Sequence, residues 1–138
     1  MIGKDVATMP VELNQLIEWR RAFHQNPELS NQEYETTQRI REILTHYDIK
    51  ILNTPLSTGL VAEIGHGEDF IVIRSDIDAL PIEEQTALKF RSENKDVMHA
   101  CGHDIHMAAI LGTAIQLKEQ EAQLKSRVPR YFSSRRRN

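Results

Sequence analysis

The sequence predicts an α/β fold. Two amphipathic segments come first, three short strand-like runs follow, and a stretch of small and apolar residues at helical spacing comes later. A polar segment, residues 75–100, separates the last strand-like run from the final helical stretch. A loop of that length inside a domain is usually functional, so we expect it to carry part of a site.

The first two helices are predicted from apolar spacing and from their boundaries. Residues 11–25 place apolar side chains at near-helical intervals, and Pro27 ends this helix because proline lacks the N–H that a helix interior needs. Ser30 followed by Glu33 is typical of a capping box, which predicts a second helix running to about His46. The string from His24 to Glu33, a helix end followed by a helix start, is therefore interpreted as structural.

Three strand-like runs follow the second helix. They are Ile49–Leu52, Leu60–Ile64 and Phe70–Arg74. The glycine-containing stretch 65–69 lies between the last two runs and predicts a hairpin. Residues 75–100 are interpreted mostly as loop, and a final helix is predicted from about Asp104 to Leu124.

The charges divide the chain into an acidic body and a basic end. Of 17 basic and 20 acidic residues, six bases and no acids fall in residues 125–138. An acidic body argues against a nucleic-acid groove. No apolar run approaches the roughly 18 residues of a membrane-spanning helix, and one cysteine cannot form an internal disulfide. We therefore expect a cytoplasmic protein without nucleic-acid or membrane partners.

Histidine and cysteine are concentrated in the string Met-His-Ala-Cys-Gly-His-Asp-Ile-His, which begins at residue 98. Thiolate and imidazole suit a borderline-soft cation such as zinc. Cys101 and His103 can converge where a loop enters a helix, if Gly102 allows a tight backbone. Asp104 can orient a ligand imidazole, and His106 lies one turn beyond His103. The alternative is a surface histidine cluster beside a buried cysteine.

A second candidate feature is the pair Asp76 and Asp78, at the end of a strand-like run. Residues at positions i and i+2 of an extended strand point to the same side. The carboxyl ends of strands are where α/β active sites generally lie. Such a carboxylate can hold a metal-binding histidine in one tautomer. The alternative is that both residues begin a solvated turn before Pro81.

Three strings in this order closely resemble one family. They are RRAFHQNPELSNQEYETT, VIRSDIDALPIEE and MHACGHDIHMAAILG, within roughly residues 17–127. They resemble the signatures of the zinc-dependent amidohydrolases related to aminoacylase, carboxypeptidase G and hippurate hydrolase, in the N-acyl-amino-acid amidohydrolase branch. The resemblance implies the N-terminal part of a two-domain, zinc-peptidase-like catalytic fold, with a mixed sheet flanked by helices.

The resemblance also implies roles for particular residues. Cys101 and His103 match the family's metal ligands, and Asp78 matches its active-site aspartate. Asp76, Asp104 and His106 are candidates for substrate contact or for support of the ligands. The implied cofactor is a divalent metal, two per site in the intact enzyme, with zinc preferred over manganese, cobalt or nickel. The implied partner is a small N-acyl amino acid, with acetyl- or benzoyl-type acyl groups, and intact relatives are expected to include homo-oligomers.

The end of the chain departs from the family pattern. The family has a strand of the type V-R-F-I-F-Q-P-A-E-E, whereas this sequence continues V-P-R-Y-F-S and ends in arginines. Degenerate codons shifted by one base can read I-F-Q-L-A-E-E at this place. We therefore hypothesise a one-base insertion near codons 128–130, which makes residues 128–138 a non-native tail behind a catalytic-domain segment, residues 1–127. A natural basic tail is the alternative.

This hypothesis has a functional consequence. The family's downstream Glu-Glu pair, which contains the general base, and its two later histidines do not occur in this sequence. We therefore expect the chain to be truncated and inactive alone. Two other functions stay open: a small metal-binding or regulatory protein that uses the cluster as a sensor, and a nucleic-acid binder that uses the basic tail.

Overall fold

The computed structural model describes residues 11–124 and 128–133 and has the predicted α/β character. The elements, in chain order, are α1 (Leu13–Gln25), α2 (Tyr34–His46), β1 (Lys50–Ile51), β2 (Leu60–Ile64), β3 (Ile73–Asp76), α3 (His103–Glu119), a short 3₁₀ helix (Glu121–Gln123) and β4 (Val128–Ser133). All three predicted helices are confirmed within a few residues, except that the last ends at Glu119 and continues only as the 3₁₀ turn. Among the described residues, no helix combines the length and apolar character needed to cross a membrane.

The predicted capping box at the start of α2 is wrong. Glu33 occupies the N-cap position, but no side chain caps the helix from there. Instead, Glu28 reaches the first turn and accepts hydrogen bonds from the Thr36 N–H at 2.5 Å and from the Glu35 N–H at 3.2 Å. A carboxylate further back in the chain therefore satisfies the free N–H groups of the helix, which a local motif cannot reveal.

The four strands form one mixed sheet in the order β1-β2-β4-β3. β2 is antiparallel to both β1 and β4, whereas β3 is parallel to β4, with Ile73 opposite Arg130 and Asp76 opposite Ser133. The predicted hairpin between β2 and β3 is therefore wrong, because β4 lies between these strands. The strand that pairs with β2 is β4, which lies far along the chain. The short turn at 65–69 therefore predicted a hairpin that does not form.

The third strand begins later than predicted. Phe70, Ile71 and Val72 precede β3 and are more than half exposed, and the strand itself is Ile73–Asp76. Residues 77–102 contain neither a helix nor a strand, as predicted for most of this segment. Its backbone is nevertheless tied to the rest of the fold by isolated bridges from Leu80 to Met98 and from Ala79 to Leu29.

The core lies where α2 and α3 pack against the sheet. β2 contributes Leu60, Ala62 and Ile64, which are almost fully buried, and Phe132 of β4 is fully buried beside them. α1 packs on α3 rather than on the sheet, and a side-chain carbon at Gly112 would come within 2.9 Å of Leu16. α3 also packs directly against β3, at whose end the candidate site lies.

Gly59 is the most sterically restricted glycine of the fold. Its φ is +79°, and an added Cβ would lie 2.4 Å from the Phe132 carbonyl oxygen. We expect Gly59→Ala to lower the free energy of unfolding by about 3 kcal/mol, because the strained φ and the clash with β4 add. Gly102→Ala is the matched control: its φ is also +79°, but the nearest atom to an added Cβ is 3.9 Å away.

For the control variant, Gly102→Ala, we therefore expect the free energy of unfolding to fall by only about 1 kcal/mol, from the strained φ alone. Denaturant unfolding of both variants and of the unaltered chain measures the difference. Equal losses in the two variants would contradict the close approach of Gly59 to β4.

Candidate functional site

The candidate site forms where β3 ends and α3 begins. β3 ends at Asp76, and Asp78 lies two residues further on with only 4% of its surface exposed. α3 begins at His103, which is also buried, and packs against β3. The fold therefore brings together the carboxylate pair and the histidine–cysteine string, which the sequence identified as two separate features.

His103 is held in one orientation by Asp78. The ring Nδ1 of His103 lies 2.7 Å from the Asp78 carbonyl oxygen and 3.2 Å from its Oδ1. A carbonyl oxygen can only accept, so Nδ1 carries the proton and donates it. The lone pair is then on Nε2, which is the arrangement of histidines that bind metal through Nε2.

Asp76 lies on the opposite side of the same ring. Its Oδ2 is 3.8 Å from His103 Nε2, while its Oδ1 lies 2.6 Å from Nη2 of Arg74. The two carboxylates that the sequence paired therefore flank His103, one at each ring nitrogen. Asp76 is one-quarter exposed at its side chain, so its carboxylate borders solvent rather than the core.

Cys101 and Gly102 form the last two residues before α3. Cys101 is a free, exposed cysteine. Gly102 is the N-cap residue with φ +79°, which confirms that the tight backbone expected between the two candidate ligands is present. Its carbonyl oxygen accepts the His106 N–H at 3.0 Å, so the first helical turn starts directly at this glycine.

His106 lines an open cavity of about 390 Å³ beside the site. The cavity is also lined by Asp76 and Arg74, and by Ala109 and Ile110 of α3. The ring centroids of His106 and His103 are 6.0 Å apart. An exposed imidazole and a carboxylate thus face a space next to His103 that is large enough for a small ligand.

Asp104 faces away from this cavity, towards α1. It is 1% exposed, and its Oδ2 accepts hydrogen bonds from Arg20 Nε and from His24 Nδ1, both at 2.9 Å. The other ring nitrogen of His24 contacts Glu84 Oε1 at 3.0 Å. Asp104 therefore occupies a supporting position behind the histidine that precedes it.

His24 and Glu84 were not identified from the sequence. The segment containing His24 was interpreted as structural, since a helix stop followed by a helix start explained its residues. The available signal was that His24 lies inside the first of the three family-like strings. Its partners Glu84 and Asp104 are 60 and 80 residues away in the chain, so spacing alone could not pair them.

His99 is a third buried histidine near the site, after His103 and His24. It is 4% exposed, and neither ring nitrogen has a hydrogen-bond partner among the described residues. Burial lowers its pKa to about 4; Asp104 opposes this shift, and the charges of His103, His24 and Arg20 add to it. His99 is therefore neutral at physiological pH.

The donor set fits part of a metal site. Cys101 offers a thiol, His103 a free Nε2 lone pair and Asp76 a carboxylate, which are all ligand types that zinc accepts. Within residues 11–124 and 128–133, however, no three histidine, cysteine, aspartate or glutamate side chains are grouped closely enough to hold a metal.

Comparison with known proteins identifies a family. Residues 72–132 match the peptidase family M20/M25/M40. This range contains every residue that the sequence predicted for the site, namely Asp76, Asp78, Cys101, His103, Asp104 and His106. The family match therefore coincides with the site rather than with a peripheral part of the fold.

Two curated relatives are similar over most of this chain. An N-acetylcysteine deacetylase of Bacillus subtilis (strain 168) is 54% identical over 116 residues, which are 82% of this chain and 30% of that protein. An N-acyl-L-amino acid amidohydrolase of Geobacillus stearothermophilus is 48% identical over 101 residues, which are 72% of this chain and 27% of that protein. The chain thus spans less than a third of the length of either relative.

A solved structure is similar in fold as well as in sequence. The YXEP protein of Bacillus subtilis, described as a dinuclear metal binding peptidase from the M20 family, matches with a TM-score of 0.83 and 52% identity. The match covers 86% of this chain and 34% of that structure. It confirms the predicted fold class, an α/β chain with a mixed sheet and helices. Over residues 72–132 by sequence, and over most of its length by fold, the chain is therefore similar to members of the peptidase family M20/M25/M40.

Proposed function

We propose that this chain forms part of the active site of a metal-dependent N-acyl-amino-acid amidohydrolase. The observation that carries the proposal is the orientation of His103, whose Nδ1–H donates to Asp78 and whose Nε2 is left to bind a metal. The names of the two relatives, a deacetylase and an amidohydrolase of N-acyl amino acids, support the reaction class.

Two residues of this chain are proposed to hold a divalent metal. Cys101 supplies a thiolate and His103 an imidazole, donors that suit zinc first and manganese, cobalt or nickel in similar sites. The dinuclear description of the similar Bacillus subtilis structure supports two metals per site in the intact enzyme. When bound, a divalent metal polarises an amide carbonyl and lowers the pKa of bound water.

The neighbouring residues are proposed to position the ligand and the substrate. Asp78 fixes the tautomer of His103 through its carbonyl and adds the negative charge of its carboxylate close by. Asp76 and His106 line the adjacent cavity and are proposed to contact a small N-acyl amino acid. The resemblance gives the general-base role to a downstream glutamate that this sequence lacks, so we expect metal binding without hydrolysis.

We also propose that residues 1–127 belong to the catalytic domain and that residues 128–138 come from a shifted reading frame. The pairing of β4 is compatible with either frame, because main-chain hydrogen bonds are common to all non-proline residues. Pro129 supports the shifted frame, since proline has no N–H to donate and rarely occurs in an inner strand. Residues 134–138, where most of the basic tail lies, are outside the described residues.

Three expectations stay predictions. They are the cytoplasmic location, the lack of nucleic-acid and membrane partners, and the oligomerisation of the intact enzyme. The alternative of a nucleic-acid binder depends on the basic residues within 134–138. The alternative of a metal sensor requires that the chain binds metal but takes part in no hydrolysis. Similarity to named hydrolases favours the amidohydrolase over both.

Metal binding by the full chain tests the ligand assignment. We expect Cys101→Ser to abolish the thiolate-to-metal absorption band of bound Co²⁺, and His103→Gln to weaken binding at least about tenfold. The affinity is expected to rise with pH, because a thiolate and a neutral imidazole are the forms that bind metal. Absorbance titration with Co²⁺ measures both.

The control is His66→Gln, which removes an exposed histidine from the turn after β2. Unchanged binding in all three variants would exclude the proposed ligands.

Hydrolysis tests the proposed reaction. We expect the full chain to leave N-acetylcysteine and N-benzoyl amino acids intact, because its sequence lacks the general base. A chimera that joins residues 1–127 to the downstream part of the Bacillus subtilis deacetylase is expected to hydrolyse N-acetylcysteine. Cys101→Ser in the chimera should then lower kcat/KM at least about 100-fold. Hydrolysis by the unaltered chain, or full activity of the Cys101→Ser chimera, would refute the proposal.

A further inference from the structure

Four buried or half-buried charged side chains meet behind the candidate site. They are Arg20 and His24 of α1, Glu84 of the segment between β3 and α3, and Asp104 of α3, and we call them the His24 cluster. His24, Glu84 and Asp104 are each no more than 3% exposed. Charged groups at this depth are costly unless they are paired, so the pairing within the cluster determines its charge state.

The contacts of His24 require a charged ring. Its Nδ1 and Nε2 each face a carboxylate oxygen, and an ionised carboxylate can only accept hydrogen bonds. Both ring nitrogens must then donate, which only an imidazolium can do. With Arg20, the cluster contains two cations and two anions, and its formal charges cancel.

The surroundings of Glu84 favour its ionised form. Its Oε1 also accepts the Ser92 N–H at 2.8 Å, and its Oε2 accepts the hydroxyl of Thr86. Burial raises the pKa of Glu84, but the hydrogen bonds from Thr86, Ser92 and His24 outweigh burial and hold the pKa below its usual value. A neutral His24 beside a protonated Glu84 is therefore disfavoured.

The cluster connects three segments of which two carry site residues. Asp104 follows His103 directly in the first turn of α3, and Glu84 lies six residues after Asp78. Phe90 covers the cluster: its ring packs edge-on against His24 at 5.5 Å and lies under the Arg20 guanidinium at 4.9 Å. His24 thus links α3 to the segment that follows Asp78. It is not itself one of the proposed metal ligands.

We propose that His24, as an imidazolium, is a positioning residue of the proposed metal site. By holding Asp104 and Glu84 at the same time, it fixes the first turn of α3 relative to the segment that carries Asp78. This role rests on the proposed function in one respect, because the geometry it preserves is that of Cys101 and His103. Loss of His24 leaves two buried carboxylates with only Arg20 to balance them.

The charge of His24 is measured by ¹⁵N NMR of its ring in the full, unaltered chain. We expect protons on both ring nitrogens, because each of them faces a carboxylate oxygen. A ring with one unprotonated nitrogen would overturn the proposal, and this readout needs no variant to fold.

The positioning role is measured in His24→Gln, whose amide is uncharged and carries both of its N–H donors on a single nitrogen. We expect amide hydrogen exchange at His106, whose N–H donates to Gly102, to accelerate about tenfold, while exchange at Ile115 in the middle of α3 stays unchanged. Co²⁺ affinity is expected to fall about 10-fold to 100-fold. His46→Gln, an exposed histidine at the end of α2, is the matched control and should change neither.

A second substitution separates charge from shape. Adding Glu84→Gln to His24→Gln removes the carboxylate that Arg20 does not pair, and should recover part of the exchange protection at His106. Equal acceleration along all of α3, or unchanged Co²⁺ affinity in His24→Gln, would overturn the positioning role. If the unaltered chain binds no Co²⁺, the proposed function fails, and exchange at His106 still decides the role of His24.

Discussion

The hydrogen bond from His103 to the Asp78 carbonyl oxygen determines the geometry of the site. Its donor is the first residue of α3, and its acceptor lies two residues beyond β3. Because the acceptor is a main-chain atom, one bond fixes both the tautomer of the ring and the path of the loop. Asp76 is then left beside Nε2, and Asp104, one residue further along α3, points towards α1.

Local signals in the sequence predicted the helices well and the sheet only in part. Apolar spacing is a property of neighbouring residues, so α1, α2 and the start of α3 were found within a few positions. Strand pairing depends on partners that are distant in the chain, and the insertion of β4 between β2 and β3 has no local signature. The predicted cap of α2 was wrong for the same reason, since the capping residue, Glu28, lies outside the capping-box motif formed by Ser30 and Glu33.

The candidate site shows the same division. Residue type and spacing predicted Cys101, His103 and the two aspartates as candidate site residues, because metal-binding side chains and turn residues occur together in short strings. The sequence predicted that an aspartate could hold a metal-binding histidine in one tautomer. It did not predict that Asp78 and His103, which are 25 residues apart, form this pair. The contacts of His24 with Asp104 and Glu84 were not predicted, since they arise only when three segments fold against each other.

X-ray absorption of the zinc-loaded full chain tests the central claim, that Cys101 and His103 provide part of a metal site oriented by Asp78. We expect one sulfur neighbour at about 2.3 Å and nitrogen at about 2.0–2.1 Å from zinc. In Asp78→Asn both the sulfur and the nitrogen neighbours should remain, because the main-chain carbonyl that orients His103 is unchanged. A zinc ion surrounded only by oxygen and nitrogen, with no sulfur neighbour, would contradict the account.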